Sequence, residues 1–421
     1  MGPALEAAVK LAHERGIELH AWIWTFAAVN QRHNEILGFP RNYVGPVLEK
    51  NPDWAMTDHE GSRFHYTSGK VFLDPANLEV QEYLNSLLTE IATKYDVDGV
   101  HLDYIRYPFQ SPTGKITYGY GKAAREKFQL KTGLDPIQLK PNQYLWPEWT
   151  EFRSEQIDNF VRNASYNLKQ IRPNLTISTA VFPIPHQERL TKIQQHWEKW
   201  LQKEWIDMLV PMTYAKNADD LNKLASPLLR EFNHGKALLL PGIRLLNISN
   251  LTALDQMQFL RGMSTEGYAL FAAENLNSDF ARTFNNTQGS VDVESKQILP
   301  HREPFLVTQS RYQNLQQESN FFLTQNQLAI DPDILSQWGQ QADELATDLS
   351  KLVDEPSNRN FFSTQVALNS MRRQFPHWIA ANKNISSYQG EVWQNRLDTL
   401  DRLLSYGESK NLKPSRAIMT R

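Results

Sequence analysis

The 421-residue chain contains no cysteine. That excludes disulfides, thiolate nucleophiles and cysteine-based metal sites, and it leaves the redox compartment open. An excess of charge of one sign is also missing: 44 Lys and Arg stand against 47 Asp and Glu, a formal net charge of −3. A balance of this kind, mixed along the chain, gives no field that would gather nucleic acid or an anionic membrane, so the expected partner is neutral or small. No apolar run approaches the roughly eighteen residues of a membrane span, so the sequence predicts no integral membrane segment. The N-terminus opens on a helical pattern (Ala4, Leu5, Ala8, Val9, Ala12) rather than a signal peptide. Several catalytic signatures are absent as well. No glycine-rich phosphate loop follows a strand, no Gly-x-Ser-x-Gly elbow occurs, and the histidines lack metal-ligand spacing. The sequence therefore predicts no metal site and no cofactor.

What is present is enough apolar and aromatic material, 41% and 11%, for a large core. The first 280 or so residues repeat an amphipathic helix, a turn and a short apolar strand, the pattern of a parallel sheet covered by helices. Strands are expected at Ile17–Trp24, Val97–Tyr104, Leu175–Phe182, Ile206–Tyr214, Ala237–Leu245 and Gly267–Leu276. This α/β pattern predicts a (β/α)₈ barrel of the TIM type. Six strands fall two short of eight, so two βα units are expected to precede Met1. The expected organisation is a barrel domain over 1–290, a polar linker over 291–327 (Gln- and Asn-rich from Thr308 to Gln327), and an all-α C-terminal region over 328–421. There Ile334, Leu335, Trp338, Leu345, Leu349 and Leu352, and later Leu397, Leu400 and Leu404, recur at helical spacing and predict a hairpin or small bundle.

The segment Val97–Pro108 carries the clearest chemical signal. Side chains alternate along a strand, so Gly99, His101 and Asp103 share one face while Val100, Leu102 and Tyr104 share the other. The apolar set belongs against helices, which turns His101 and Asp103 into the barrel. Asp103 comes late in the strand, and the carboxyl ends of barrel strands form the catalytic face. A buried carboxylate is costly unless it is paired or sits at an open mouth. Capping of the following loop is the bland alternative for Asp103.

The run from Asp96 to Pro108 (Asp-Val-Asp-Gly-Val-His-Leu-Asp-Tyr-Ile-Arg-Tyr-Pro) stands in one order with Arg15–Trp22 (Arg-Gly-Ile-Glu-Leu-His-Ala-Trp), Leu73-Asp74-Pro75 and Asp207–Tyr214. Together these four motifs resemble the glycosyl-hydrolase-like family 10 proteins over roughly residues 4 to 280. The resemblance implies a (β/α)₈ glycoside-hydrolase-like barrel that begins with two further strands. It also implies action on a polysaccharide or cell-wall glycan, including peptidoglycan strands stripped of peptides, and an extracytoplasmic, periplasmic or secreted, location. Many members carry a second acid directly after the motif aspartate. Here that position is Tyr104, a departure that bears on any mechanism needing adjacent carboxylates.

Glycoside hydrolysis uses two carboxyl groups, one ionised and one protonated. Asp103 is the first candidate, as nucleophile or electrostatic stabiliser. For the second, Glu274 follows an apolar strand where partial desolvation would raise its pKa toward that of a general acid; Asp74, Asp219 and Asp220 are alternatives. Asp74 also suits helix capping, and Asp207, at the start of its strand, is expected to be structural. Sugars present apolar faces and many hydroxyls, so aromatic platforms beside hydrogen-bonding groups are expected. His20, Trp22 and Trp24 on one strand face, Asp74, His101, Arg106, Tyr107, Tyr214 and Arg244 are the candidate glycan-binding residues. The long insertion bearing Trp54, His59, Phe64, His65 and Tyr66 is expected to wall one side of a cleft. Three functions remain open: a glycosidase, a glycan-binding protein that keeps the cleft without catalysis, and a scaffold whose C-terminal helices bind a partner.

Overall fold

A computed structural model of the chain describes residues 2–111, 114–231, 236–288, 299–324, 331–380 and 385–412. It divides into two compact units, residues 1–212 and 213–421.

In the first unit, strands β1 (His20–Trp24), β4 (Gly99–Asp103), β5 (Thr176–Val181) and β6 (Met208–Pro211) pair side by side, all parallel. Val100, Leu102, Ile177 and Leu209 are essentially inaccessible, as expected of strands covered by crossover helices. One cover is the helix Leu78–Lys94, which starts where the Asn77 side chain accepts from the Glu79 N–H. The other is Trp146–Ile171, whose Phe160 meets Phe26 edge to face at 5.1 Å. The register stacks side chains in layers, with His20 opposite Gly99, Trp22 opposite His101 and Trp24 opposite Asp103. Gly99 is needed for this. A Cβ there would lie 2.6 Å from His20 Nδ1 and 2.6 Å from the Thr176 carbonyl oxygen. At the opposite ends of the strands, Asp207 Oδ2 accepts from Lys169 Nζ and the Ile177 N–H, both at 2.8 Å, the structural role expected of it.

Two strands were not foreseen. β2 (Ala27–Asn30) and β3 (Lys70–Phe72) form an antiparallel pair just beyond β1. Each is too short for periodicity to register, and some forty residues of insertion separate them.

In the second unit the expected Ala237–Leu245 strand is broken into β7 (Leu238–Leu239) and β8 (Gly242–Arg244) around Pro241, which has no N–H to continue a ladder. β8 runs parallel to β9 (Ala269–Phe271), over a core that includes Leu221, Ile243, Met257, Leu260 and Phe280. Each of the six expected strand segments thus contains a strand. The chain then becomes all helical, in Pro304–Thr324, Pro332–Asp354, Asn358–Ala380 and Ser387–Gly407. Their shared core includes Tyr312, Leu345, Leu349, Trp393 and Leu400, with Trp338 stacked on Trp378 at 5.6 Å. The expected polar linker over 291–327 is corrected here, because Pro304–Thr324 is a bundle helix that buries Phe305, Thr308 and Tyr312. Its Gln and Asn residues dilute an apolar stripe that tertiary packing still uses. Residues 291–298 and 325–327 of that expected linker lie outside the described residues. Among the described residues no helix is long and apolar enough to cross a membrane.

Candidate active site around Asp103

Asp103 ends β4, and the next residue turns the chain. Tyr104 has φ +51°, the left-handed region that non-glycine residues rarely occupy. This turn directs the Tyr104 N–H back onto Asp103 Oδ1 at 2.6 Å, while Trp22 Nε1 donates to Oδ2 at 3.2 Å. The backbone is tied to the neighbouring strand by the Thr25 N–H on the Asp103 carbonyl at 2.8 Å. Burial pushes the Asp103 carboxyl above the ordinary aspartate range. The donors Tyr104 N–H and Trp22 Nε1 and the cations of Arg106 and Lys70 pull the other way without winning.

Aromatic rings surround this carboxyl. Trp22 is 54% exposed and lies edge-on to Trp24 at 6.4 Å. Trp24 lies 4.7 Å from Tyr104 and stacks on His33 at 5.7 Å. Lys70 enters from β3, its ammonium 5.7 Å from the Trp24 ring centroid and 5.5 Å from that of Tyr104, near enough for cation–π attraction. Burial lowers its pKa. Nothing in the sequence pointed to Lys70. It reaches the site only because β2 and β3 pair across the insertion, which the short strands conceal.

Arg106 and Tyr107, expected to touch substrate, turn inward after the left-handed residue. Arg106 is 8% exposed and its guanidinium sits among the rings of Phe72, Tyr104, Phe109 and Phe182, at 5.0 to 5.7 Å. It donates to the Tyr107 carbonyl at 2.9 Å, and burial lowers its pKa to about 10, so it stays charged near neutrality. Its field reaches Asp103 although no ion pair joins them among the described residues. Tyr107 is fully enclosed and its hydroxyl has no hydrogen-bond partner. Burial pushes that phenol well up, as does neighbouring Asp74, with Arg153 opposing.

Asp74 is likewise fully enclosed. Its Oδ1 accepts from the Ala76 N–H at 2.9 Å, and its Oδ2 from the Ala124 N–H at 3.3 Å in the first turn of the helix Lys122–Thr132. Asn77, not Asp74, caps the helix that follows in sequence, and Asp74 instead serves the first turn of Lys122–Thr132, while burial raises its carboxyl to about 6. His20 and His101 lie deeper along the same strand face. His20 Nε2 approaches Glu18 Oε2 at 3.3 Å. His101 Nδ1 meets Ser178 Oγ at 2.9 Å, and burial lowers this imidazole to about 4, so it is neutral at physiological pH.

The insertion folds back as a wall. The Tyr66 N–H donates to Tyr118 Oη at 3.0 Å, His65 Nε2 lies 2.9 Å from the Phe109 carbonyl, and the Tyr66 side chain stays exposed. Trp54 is committed elsewhere, donating to Glu79 at 2.7 Å.

The remaining candidates belong to the second unit. Tyr214 stacks on Phe271 at 5.6 Å, Arg244 ends β8, and Glu274 occupies a helical turn, Ala273–Asn275, directly after β9. The Glu274 side chain is exposed, so the partial burial expected for it is not found.

The first unit therefore brings together Asp103, Trp22 and Trp24 from the sequence-derived set and adds Tyr104 and Lys70. The group can exchange a proton at a carboxyl of raised pKa, offer an apolar ring beside it, and place positive charge nearby.

Comparisons with known proteins identify the family. The sequence profile described as glycosyl hydrolase-like 10 matches residues 3–257. Glycosyl hydrolase DigH of Escherichia coli strain K12 is 27% identical over 171 residues, covering 39% of this chain and 32% of that protein. Glycosyl hydrolase YngK of Bacillus subtilis strain 168 is 19% identical over 223 residues, 49% of this chain and 38% of that protein. The matched stretch thus spans only about a third of these relatives' length. Among solved structures, the PgaB (BpsB) glycoside hydrolase domain from Bordetella bronchiseptica superposes with a TM-score of 0.50 at 15% identity, covering 70% of this chain and 80% of that one. At that identity the likeness shows the fold alone, that of the TIM-barrel glycoside hydrolases, followed here by an all-helical region. The profile match extends over more than half of the sequence, and the chain belongs to the glycosyl hydrolase-like 10 family.

Proposed function

We propose that the protein hydrolyses glycosidic bonds in a polysaccharide or cell-wall glycan, with peptidoglycan strands free of peptide as the first substrate to try. One observation carries the reading: Asp103, at the carboxyl end of a barrel strand, is a partly buried carboxyl held by two N–H donors beside an exposed tryptophan. Burial raises its pKa, a direction that favours giving and taking a proton at the glycosidic oxygen, and the nucleophile or stabiliser role read from the sequence stays the alternative for the same carboxyl. Trp22 would stack on a sugar face, with Trp24 and Tyr104 flanking it. Glu274, Tyr214 and Arg244, which the second unit carries at or beyond strand ends, are proposed for assay alongside, each as an alanine variant tested for lost cleavage or binding. A cell-wall substrate would place the protein outside the cytoplasm.

The test is release of reducing ends from peptide-free peptidoglycan and from a panel of neutral polysaccharides, by the full chain and by Asp103→Asn. Cleavage of one glycan that is lost in the variant supports the proposal. No cleavage of any of them, by protein that binds one tightly, favours the second reading, a glycan-binding protein. Tyr104 standing where many relatives carry an acid is the observation behind that alternative.

A further inference from the structure

The segment after β5 turns through two short helices, His186–Ile193 and Trp197–Gln202. Their amino ends bring together two imidazoles and a carboxylate that are ten and twelve positions apart in the sequence, a spacing no metal motif would flag. The rings of His186 and His196 stand 5.4 Å apart, edge to face, and His186 Nδ1 lies 3.0 Å from Glu198 Oε1. One donor atom from each of His186, His196 and Glu198 falls within 4.8 Å of the other two. All three side chains are partly open to solvent, at 36%, 28% and 18%, so an ion could reach them.

Two details distinguish this cluster from an ordinary ion pair. Glu198 Oε1 is taken up by Arg189, whose guanidinium also donates to the Gln195 and Ile184 carbonyls and stacks over Trp197 at 4.4 Å. The second oxygen, Oε2, is buried without any hydrogen-bond partner, a state that costs free energy unless something occupies it. His196 Nδ1 lies 3.4 Å from Asp158 Oδ2. This is an electrostatic contact rather than a hydrogen bond, and Asp158 Oδ2 is itself buried without a hydrogen-bond partner, so a second negative charge faces the cluster.

We propose that His186, His196 and Glu198 bind a divalent transition ion of the zinc class. Two neutral imidazoles and one carboxylate suit Zn²⁺ far better than Mg²⁺ or Ca²⁺, which prefer all-oxygen shells. Zinc bonds of about 2.0–2.2 Å place tetrahedral ligands roughly 3.3 Å apart, so side-chain rotation of about an ångström closes the present cluster. The charges nearby nearly cancel. Arg189 offsets Glu198, and Lys199, 2.9 Å from Asp158 Oδ2, offsets Asp158. With three protein ligands the fourth position falls to water.

The ion would brace the wall of the candidate active site. Gln195, beside His196, accepts from the Phe182 N–H at 2.9 Å and donates to the Ile105 carbonyl at 3.3 Å, and the Tyr107 N–H donates to the Ile193 carbonyl at 3.0 Å. These bonds tie the two helices to the residues just past Asp103.

The experiment uses the full chain, stripped with chelator and dialysed, titrated with ZnCl₂ alone and with MgCl₂ alone by calorimetry, and melted with and without each salt. One zinc site of micromolar or tighter Kd at pH 7.5, a rise in Tm with zinc but not magnesium, and binding weakened at least tenfold at pH 5.5 are the expected results. The His186→Ala/His196→Ala variant should melt without metal as the stripped parent does and bind zinc at least a hundredfold more weakly. Zinc binding unchanged in that variant, no zinc binding by the parent at millimolar concentration, or equal binding of magnesium would each overturn the proposal. Because the readouts are binding and melting, they stand whether or not the protein cleaves a glycan.

Discussion

Asp74 gives a stability signal whose sign and size come from its surroundings. The carboxyl is fully enclosed, and burial raises it from the ordinary 3.8 to about 6. The folded protein therefore binds more protons than the unfolded chain between those two values, so Asp74 lowers stability as pH rises through that window and no further above it. At about 1.4 kcal/mol per pKa unit, the loss amounts to about 3 kcal/mol. Other groups titrate over the same range, so the quantity to track is the difference between the parent and Asp74→Asn, measured by guanidinium unfolding with tryptophan fluorescence from pH 3.5 to 7.5. The asparagine does not ionise. It also puts an amide against one of the two N–H donors that Asp74 now accepts from, a penalty that is independent of pH. The parent's advantage over the variant should shrink by about 2.4 kcal/mol between pH 4 and 7. A difference that stays flat, or an advantage that grows with pH, would refute the claim that burial dominates at this carboxyl.

Gly99→Ala sets a methyl 2.6 Å from the Thr176 carbonyl oxygen, which the strand register holds in place. A loss of about 3 kcal/mol is expected in chemical denaturation, and an unchanged midpoint would show that the layer is looser than described. Lys70→Met removes a cation that lowers the Asp103 pKa; the limb of the pH–rate profile that reports Asp103 should move to higher pH, and an unmoved limb would separate the two groups. Trp22→Ala should weaken glycan binding about tenfold, by the roughly 1.4 kcal/mol of a stacking contact. Trp22→Phe should recover most of that affinity while still lacking the Nε1 donor to Asp103, so binding equally weak in both variants would deny the ring its stacking role.

The β-strand bearing Asp103 was legible in the sequence because its signal is local: alternation places Gly99, His101 and Asp103 on one face, and the register keeps them there beside His20, Trp22 and Trp24. The path of the chain after Asp103 was not legible. A polar run through Arg106 and Tyr107 looks like a continuing site, but one left-handed residue, Tyr104, turns both into the interior, and aromatic rings rather than carboxylates accommodate the buried guanidinium. Lys70 and the Ala124 partner of Asp74 arrive from segments joined only in three dimensions, so neither spacing nor composition could signal them. The linker expectation failed for a related reason. Gln and Asn between Thr308 and Gln327 weaken the apolar stripe, yet Phe305 and Tyr312 suffice to seat the helix in the bundle.

The central claim is that Asp103 transfers protons in glycan cleavage. Its most direct test takes whichever glycan the parent protein cleaves and measures both kcat and Kd for Asp103→Asn, whose amide keeps the shape of the carboxyl and cannot exchange its proton. The prediction is a fall in kcat of at least 10³-fold, about 4 kcal/mol of transition-state stabilisation, with Kd within a few-fold of the parent's. Cleavage by Asp103→Asn at close to the parent rate would contradict it and move the chemistry to another residue.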